Sequence, residues 1–297
     1  MINYRPSTEH DLSFIDELLQ LAKTNPAFAL GYPNGSLKEV EQNLADIDQT
    51  ITDRFFIAER DGSAIGIVGI FDASWGLYLF GPVFIHDQHN EESIKALLSA
   101  FLSQSSLINK TMNVDVRASN EALSTALEAL SFVHTYSGVS MYYDMKKHIP
   151  CDDQPNIIKV SRENKAYLSR INEIFTAYLE PWADKSEADL IESLEGGATI
   201  AAILDNAKIA GAIVWEWHTD YGELEYICVD KEYQGKGYGR MLLDDAANSI
   251  SNMMTDEGES LLYLDVSRKN TSAQKFYKDY GFELEYFRKV YQRKSEM

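Results

Sequence analysis

Cysteine is almost absent from this sequence. Cys151 and Cys228 are the two in 297 residues, and neither stands in a CxxC pair or at ligand spacing from histidine. That excludes a disulfide framework and a structural zinc site, and it fits a reducing cytoplasm. Proline is also scarce, 7 residues against 17 glycines, so the chain carries no compositional mark of disorder. Long apolar runs are missing: nothing approaches the roughly 18 unbroken apolar residues of a membrane span, and the opening segment MINYRPSTEHDLSFIDELL has no apolar signal core. The expectation is a soluble, unexported protein with no membrane partner. Basic residues are in deficit, 27 Lys and Arg against 46 Asp and Glu, for a net charge of -19. The excess is spread evenly, -9 over residues 1–150 and -10 over the remainder. Such a field repels nucleic acid and attracts cations, which favours a cationic acceptor, although plain solubility accounts for it equally well.

What is present suffices for ordinary cores: 45% of residues are hydrophobic and 11% aromatic. A chain of this length accommodates two domains of about 150 residues each. An internal repeat supports that division. Val114-Asp115-Val116-Arg117-Ala118-Ser119-Asn120 aligns without a gap on Leu264-Asp265-Val266-Ser267-Arg268-Lys269-Asn270, and Phe132 and Tyr136 then fall on Phe282 and Tyr286. Upstream, Leu12, Ile15 and Glu17 align with Leu168, Ile171 and Glu173, while Asp61 and Gly66 align with Asn206 and Gly211. The boundary falls at KKHIPCDDQPN, giving an N-terminal domain over 1–147 and a C-terminal one over 155–297.

In the C-terminal half, periodicity predicts a strand over 157–160 and helices over 164–179 and 186–194. Strands over 199–204, 209–217 and 223–229 come next, then a helix over 239–254, a strand over 261–266, a helix over 272–280 and a last strand from 282. An antiparallel meander followed by crossover helices implies an α/β fold with a mixed sheet and helices on both faces. The N-terminal half repeats that order.

The most informative segment runs from Leu224 to Arg240. A strand ending in Ile227-Cys228-Val229 leads through Gln234-Gly235-Lys236-Gly237-Tyr238-Gly239-Arg240 into a helix. Alternating glycines let the backbone approach a ligand, and a helix start offers N–H groups and a positive dipole end, the means of binding phosphate. Lys236 and Arg240, with Lys269, Lys275 and Lys278 further on, make a basic island in an acidic chain.

This segment resembles motif A of the Gcn5-related N-acetyltransferases, whose Gln/Arg-x-x-Gly-x-Gly/Ala signature is met by Gln234, Gly237 and Gly239. A second signature of that family appears as Asn270-Thr271-Ser272-Ala273-Gln274-Lys275-Phe276-Tyr277-Lys278-Asp279-Tyr280-Gly281-Phe282. The resemblance implies two tandem acyl-CoA N-acyltransferase domains, the C-terminal one catalytic. It implies acetyl-CoA as cosubstrate, its pyrophosphate on the loop 234–240 and its pantetheine arm along Ile227, Cys228 and Val229. Asn270, Ala273 and Phe276 join the cofactor contacts by the same resemblance. No metal is expected.

Transfer to a primary amine requires a base for the ammonium and an acid for the departing thiolate. Glu223 and Glu225 stand two apart on the motif A strand, which by simple alternation puts both on one face; either can serve as base, with Glu225 preferred. By resemblance Tyr277 is the acid. The acceptor side would be bounded by Glu180, Pro181, Trp182, Ala183 and Asp184 and by Trp215 and Trp217. The alternative is a non-catalytic acyl-CoA-binding sensor, which needs neither Tyr277 nor paired glutamates.

The N-terminal half has His86-Asp87-Gln88-His89-Asn90 where the glycine loop should be, and Leu127 and Leu130 near the place of Tyr277. Without glycine and with Asp87, Glu91 and Glu92 nearby, this copy is expected to bind no CoA in the family manner. Two histidines three apart, lacking further ligands, belong to a surface loop rather than a metal site.

Overall fold

A computed structural model describes residues 2–32, 37–45, 49–73, 76–103, 107, 110–151, 156–179, 186–218, 221–254 and 260–294. The chain forms two compact units that do not simply follow chain order. The first holds residues 1–139 together with 286–297, and the second holds residues 140–285. Residues 140–147, placed by sequence in the N-terminal domain, therefore belong with the C-terminal half, and the end of the chain belongs with the N-terminal half.

In the first unit β1 (Ile2–Pro6) precedes α1 (Leu12–Thr24), a short β2 (Leu30–Tyr32), α2 (Leu37–Ala45) and α3 (Ile51–Arg54). A meander follows, β3 (Phe55–Arg60), β4 (Ser63–Ala73) and β5 (Gly76–Phe84), then α4 (Glu91–Leu102), β6 (Met112–Arg117), α5 (Glu121–Ala129) and β7 (Val133–Asp144). The strands run β1-β3-β4-β5-β6, with β5 and β6 parallel and the others antiparallel. Ile15, Leu18 and Leu19 of α1 and Ile94, Leu97 and Leu98 of α4 bury their 3.6-residue stripes in one core with Ile57, Ile67 and Leu79 of the sheet.

The second unit begins with the last residues of β7 and continues through β8 (Ile157–Val160), α6 (Lys165–Tyr178), α7 (Glu187–Glu195), β9 (Thr199–Asp205), β10 (Lys208–Trp217) and β11 (Tyr221–Val229). Then come α8 (Tyr238–Ser251), β12 (Leu261–Ser267), α9 (Thr271–Tyr280) and β13 (Glu283–Arg293), whose residues from Tyr286 onward lie in the first unit. There Arg288–Arg293 pair antiparallel with Arg117–Met112 of β6. Strand order in the second unit is β12-β11-β10-β9-β8, with β11 and β12 parallel. The β9–β10 turn places Asn206 and Ala207 at positive φ, 50° and 64°, the backbone of a tight two-residue hairpin. Leu168, Ile171, Ile174 and Phe175 of α6 pack on Ile200, Ala202, Ala212 and Val214. The mixed sheet and element order agree with the sequence expectation. No helix among the described residues is long and apolar enough to cross a membrane.

Candidate functional site

The site arises where β11 and β12 part. They pair in parallel from Tyr221 opposite Leu261 to Leu224 opposite Leu264, and the ladder ends there. Beyond that rung, Tyr226–Val229 pair with Val214–Gly211 of β10 on the other side. The edge of β11 that faced β12 is no longer covered by that strand, and a strand edge is a template for an extended amide-bearing ligand.

At the end of β11 the chain makes a short 3-10 turn, Lys231–Tyr233, and enters α8 through the glycine loop. Gly235 and Gly237 have φ of 78° and 84°, in the left-handed region that side chains rarely adopt, and a Cβ on either would meet open space. Gly237 is the N-cap of α8, so the first N–H groups of the helix, at Tyr238, Gly239 and Arg240, have no acceptor within the helix and point out of its start. Gln234 closes the loop on the strand, its Nε2 donating to the Val229 carbonyl at 2.9 Å.

These elements enclose a cleft of about 550 Å³. One wall is Ile227, Cys228 and Val229; the loop contributes Gln234, Gly235, Gly237, Tyr238, Gly239 and Arg240; and α9 supplies Ala273, Phe276 and Tyr277. Tyr233, Ser272, Asp279 and Tyr280, not singled out from sequence, also line it. Two further expected cofactor residues have partners within the chain. Lys236 donates to Asp205 at 2.7 Å, a partner that raises its pKa. Asn270 caps α9 by accepting from the Ala273 N–H at 3.0 Å.

Tyr277 is buried beside Phe276 and Phe282, at centroid distances of 5.3 and 5.5 Å. Burial, then the nearby Cys228, raises its pKa, so it holds its proton throughout the neutral range. Burial likewise pushes the Cys228 thiol up to about 11, which keeps it a neutral wall residue.

The carboxylates are arranged differently from simple alternation. A bulge separates Val214 opposite Tyr226 from Trp215 opposite Leu224, and Glu225 is the extra residue. Glu225 therefore stands at the point where the strands part, while Glu223 lies within the paired stretch and accepts from His218 Nε2 at 3.3 Å. That hydrogen bond, working against burial, raises the His218 pKa.

Sequence reading missed Asp265, the first residue of β12 past the last paired rung. It accepts from Ser140 Oγ at 2.5 Å. Asp265 keeps solvent contact, yet protein surrounds it closely enough that burial, with Glu223 and Glu285 adding, pushes its carboxyl up to about 7. The signal was in the repeat: an aspartate between two apolar residues of a central strand, at Asp115 and again at Asp265.

Trp215, expected near the acceptor, is 1% exposed and belongs to the core. Glu180, Pro181, Trp182, Ala183 and Asp184 lie outside the described residues.

In the first unit the corresponding place is filled by the chain itself. Parallel pairing of β5 with β6 covers Leu77 opposite Met112 and Tyr78 opposite Asn113. Beyond it β2 pairs with β6 at Leu30 opposite Val116 and Tyr32 opposite Asp115. Phe28 stacks on His89 at 4.2 Å and meets His86 edge-on at 4.8 Å. Ser119 Oγ donates to the Pro26 carbonyl at 2.6 Å, and Arg117 Nε to that of Leu30 at 3.2 Å. Among the described residues no group of His, Cys, Asp and Glu could hold a metal ion.

Residues 168–282 match the family model described as the acetyltransferase (GNAT) family. The chain is 30% identical over 94 residues, 32% of its own length, to an uncharacterized N-acetyltransferase, YjcF, of Bacillus subtilis, and spans 62% of that relative. It is 29% identical over 115 residues, 39% of its length, to a [ribosomal protein bS18]-alanine N-acetyltransferase of Haemophilus ducreyi, spanning 74% of it. Among solved structures, a GCN5-related N-acetyltransferase from Sphaerobacter thermophilus superposes with a TM-score of 0.68 at 15% identity, over 98% of this chain and 95% of that one. A tandem GNAT protein from the clavulanic acid biosynthesis pathway gives 0.64 at 12% identity, over 100% of this chain and 99% of the other.

Proposed function

Because residues 168–282 of this chain match the model of the GNAT acetyltransferase family, we propose that it is an acetyl-CoA-dependent N-acetyltransferase acting on a primary amine, with its chemistry in the C-terminal unit. The observation that carries this reading is the single cleft that joins the edge of β11 past its last rung with β12, the glycine loop and Tyr277. The residues present fit the cosubstrate: a strand edge no longer covered by β12 for the pantetheine amides, N–H groups at a helix start for the pyrophosphate, and an apolar wall of Ile227, Val229 and Phe276 between them.

In this mechanism the amine nitrogen attacks the thioester carbonyl carbon. The C–N bond forms as the C–S bond breaks, and the Tyr277 hydroxyl gives its proton to the departing sulfur. A high pKa suits that role, because the tyrosine arrives protonated and the thiolate leaves beside it. The ammonium proton goes to a carboxylate at the parting of the strands. Glu225 and Asp265 flank that point on opposite strands, and Glu223 stands one step back with His218. An Asp265 titrating near neutrality is matched to the task.

Acetyl-CoA-dependent thiol release tests the reading, measured across peptide N-termini, polyamines, aminoglycosides and amino acids. The expected result is release that requires one class of amine and a kcat at least tenfold lower in Tyr277→Phe, with CoA affinity retained. CoA binding with no release for any amine would replace the enzyme with a CoA-responsive binding module.

A further inference from the structure

We propose that Asp230 is a positioning residue for the cofactor, fixing through Arg170 and Tyr178 of α6 the direction in which the glycine loop leaves β11. The inference rests on the reading of that loop as the pyrophosphate site.

Asp230 directly follows the last residue of β11, and its own N–H is held by the Ala210 carbonyl at 2.9 Å. Its carboxylate forms an ion pair with the Arg170 guanidinium and accepts from the Tyr178 hydroxyl at 3.2 Å. The same carboxylate accepts from the Glu232 N–H at 3.4 Å, capping the turn Lys231–Tyr233. Tyr178 completes a ring of contacts, its hydroxyl oxygen accepting from the Lys231 N–H at 3.2 Å. One side chain therefore ties the strand end, the turn and a helix packed against the sheet.

The need for such a tie follows from the loop's composition. Two glycines in the left-handed region give the segment after Gln234 wide conformational freedom, and ordering it on binding would cost affinity. Gln234 anchors the loop to Val229, and Asp230 anchors the turn before it to α6. The aspartate's charge is otherwise out of place, because an anion beside a polyphosphate site repels the ligand. Pairing with Arg170, which also binds Glu173 at 2.9 Å, offsets part of that charge, and the Asp230 side chain is 14% exposed against 38% for Arg170. Burial works to raise its pKa, but the Glu232 N–H, Arg170 and Tyr178 outweigh that and hold the carboxyl below its usual value.

Calorimetric titration of the full chain with CoA, alongside steady-state kinetics, tests the proposal. Asp230→Asn keeps an oxygen to cap the turn and loses the ion pair; Arg170→Gln removes the pair from the helix side and leaves the loop sequence intact. Both are expected to weaken CoA binding about tenfold and raise KM for acetyl-CoA by a similar factor. The kcat should stay within twofold and the melting midpoint within a few degrees. Arg170→Lys should recover most of the affinity. CoA affinity within twofold of wild type in both variants would overturn the proposal, as would a parallel fall in kcat and melting midpoint with KM unchanged. A wild-type chain that binds no CoA would instead overturn the reading of the loop itself.

Discussion

The side-chain amide of Asn120 donates to the Ala29 carbonyl at 3.4 Å, so the N-terminal counterpart of Asn270 is turned onto a segment of its own chain. Together with β2 on β6 and Phe28 against His89, that contact fills the place where the parallel strands of the first unit part. The loop there, His86–Asn90, has no glycine to bring N–H groups close to a pyrophosphate. One acetyl-CoA should therefore bind per chain, in the C-terminal unit, giving a calorimetric stoichiometry near one. Gly237→Val should weaken that binding about tenfold or more, because a β-branched residue at φ 84° costs at least about 1–2 kcal/mol. A stoichiometry near two, or residual tight binding in Gly237→Val, would show that the first unit opens to the cofactor.

Much of the second unit was legible because its signals are local. Apolar residues at helical spacing in α6 and α8 and the turn at Asn206-Ala207 each settle their own element, and the glycines at 235 and 237 occupy the conformations that only glycine takes easily. Three features were not legible. The bulge at Glu225 depends on how β10 pairs with β11, so strict alternation put Glu223 and Glu225 on one footing when the strand separates them. The carboxyl of Asp265 draws its raised pKa first from burial and then from Glu223 and Glu285, 42 and 20 positions away, which no local pattern brings together. The third is the membership of 286–297 in the first unit, set by the pairing of β13 with β6. A repeat at a shift of 150 marks two copies but says nothing about which copy each end joins.

Asp265 gives the protein a pH dependence whose sign follows from its environment. Folding raises its pKa from 3.8 to about 7, so between those values the folded chain holds a proton that the unfolded chain has released. Stability should therefore fall as pH rises from about 4 to about 7. In Asp265→Asn this contribution disappears, and at pH 8 the variant should be the more stable by on the order of 1 kcal/mol, a figure kept small because solvent contact screens the charge. Activity should run the other way. If Asp265 takes the ammonium proton, kcat/KM rises through a limb near pH 7 that Asp265→Asn removes. Thermal melts at pH 5 and 8 and a pH–rate profile check both, and a limb that survives in Asp265→Asn while vanishing in Glu225→Gln would give the base to Glu225.

Arg288 of β13 pairs with Asp115 of β6 inside the first unit, where the carboxylate is completely buried and also accepts from the Tyr78 hydroxyl at 3.4 Å. Burial lowers the Arg288 pKa, but the guanidinium's ordinary value is high enough that it stays charged at neutral pH. Removing one partner leaves an uncompensated charge in the interior, so Arg288→Met should destabilise the first unit by about 3–5 kcal/mol. The double variant Asp115→Leu with Arg288→Met removes both charges and should recover most of that loss, because an apolar pair of similar volume carries no desolvation cost. Chemical denaturation followed by hydrogen exchange at the paired amides of β6 and β13 reads the first unit. A denaturation midpoint unchanged in Arg288→Met, or a double variant no better than the single one, would mean that the pair does not hold the last strand in place.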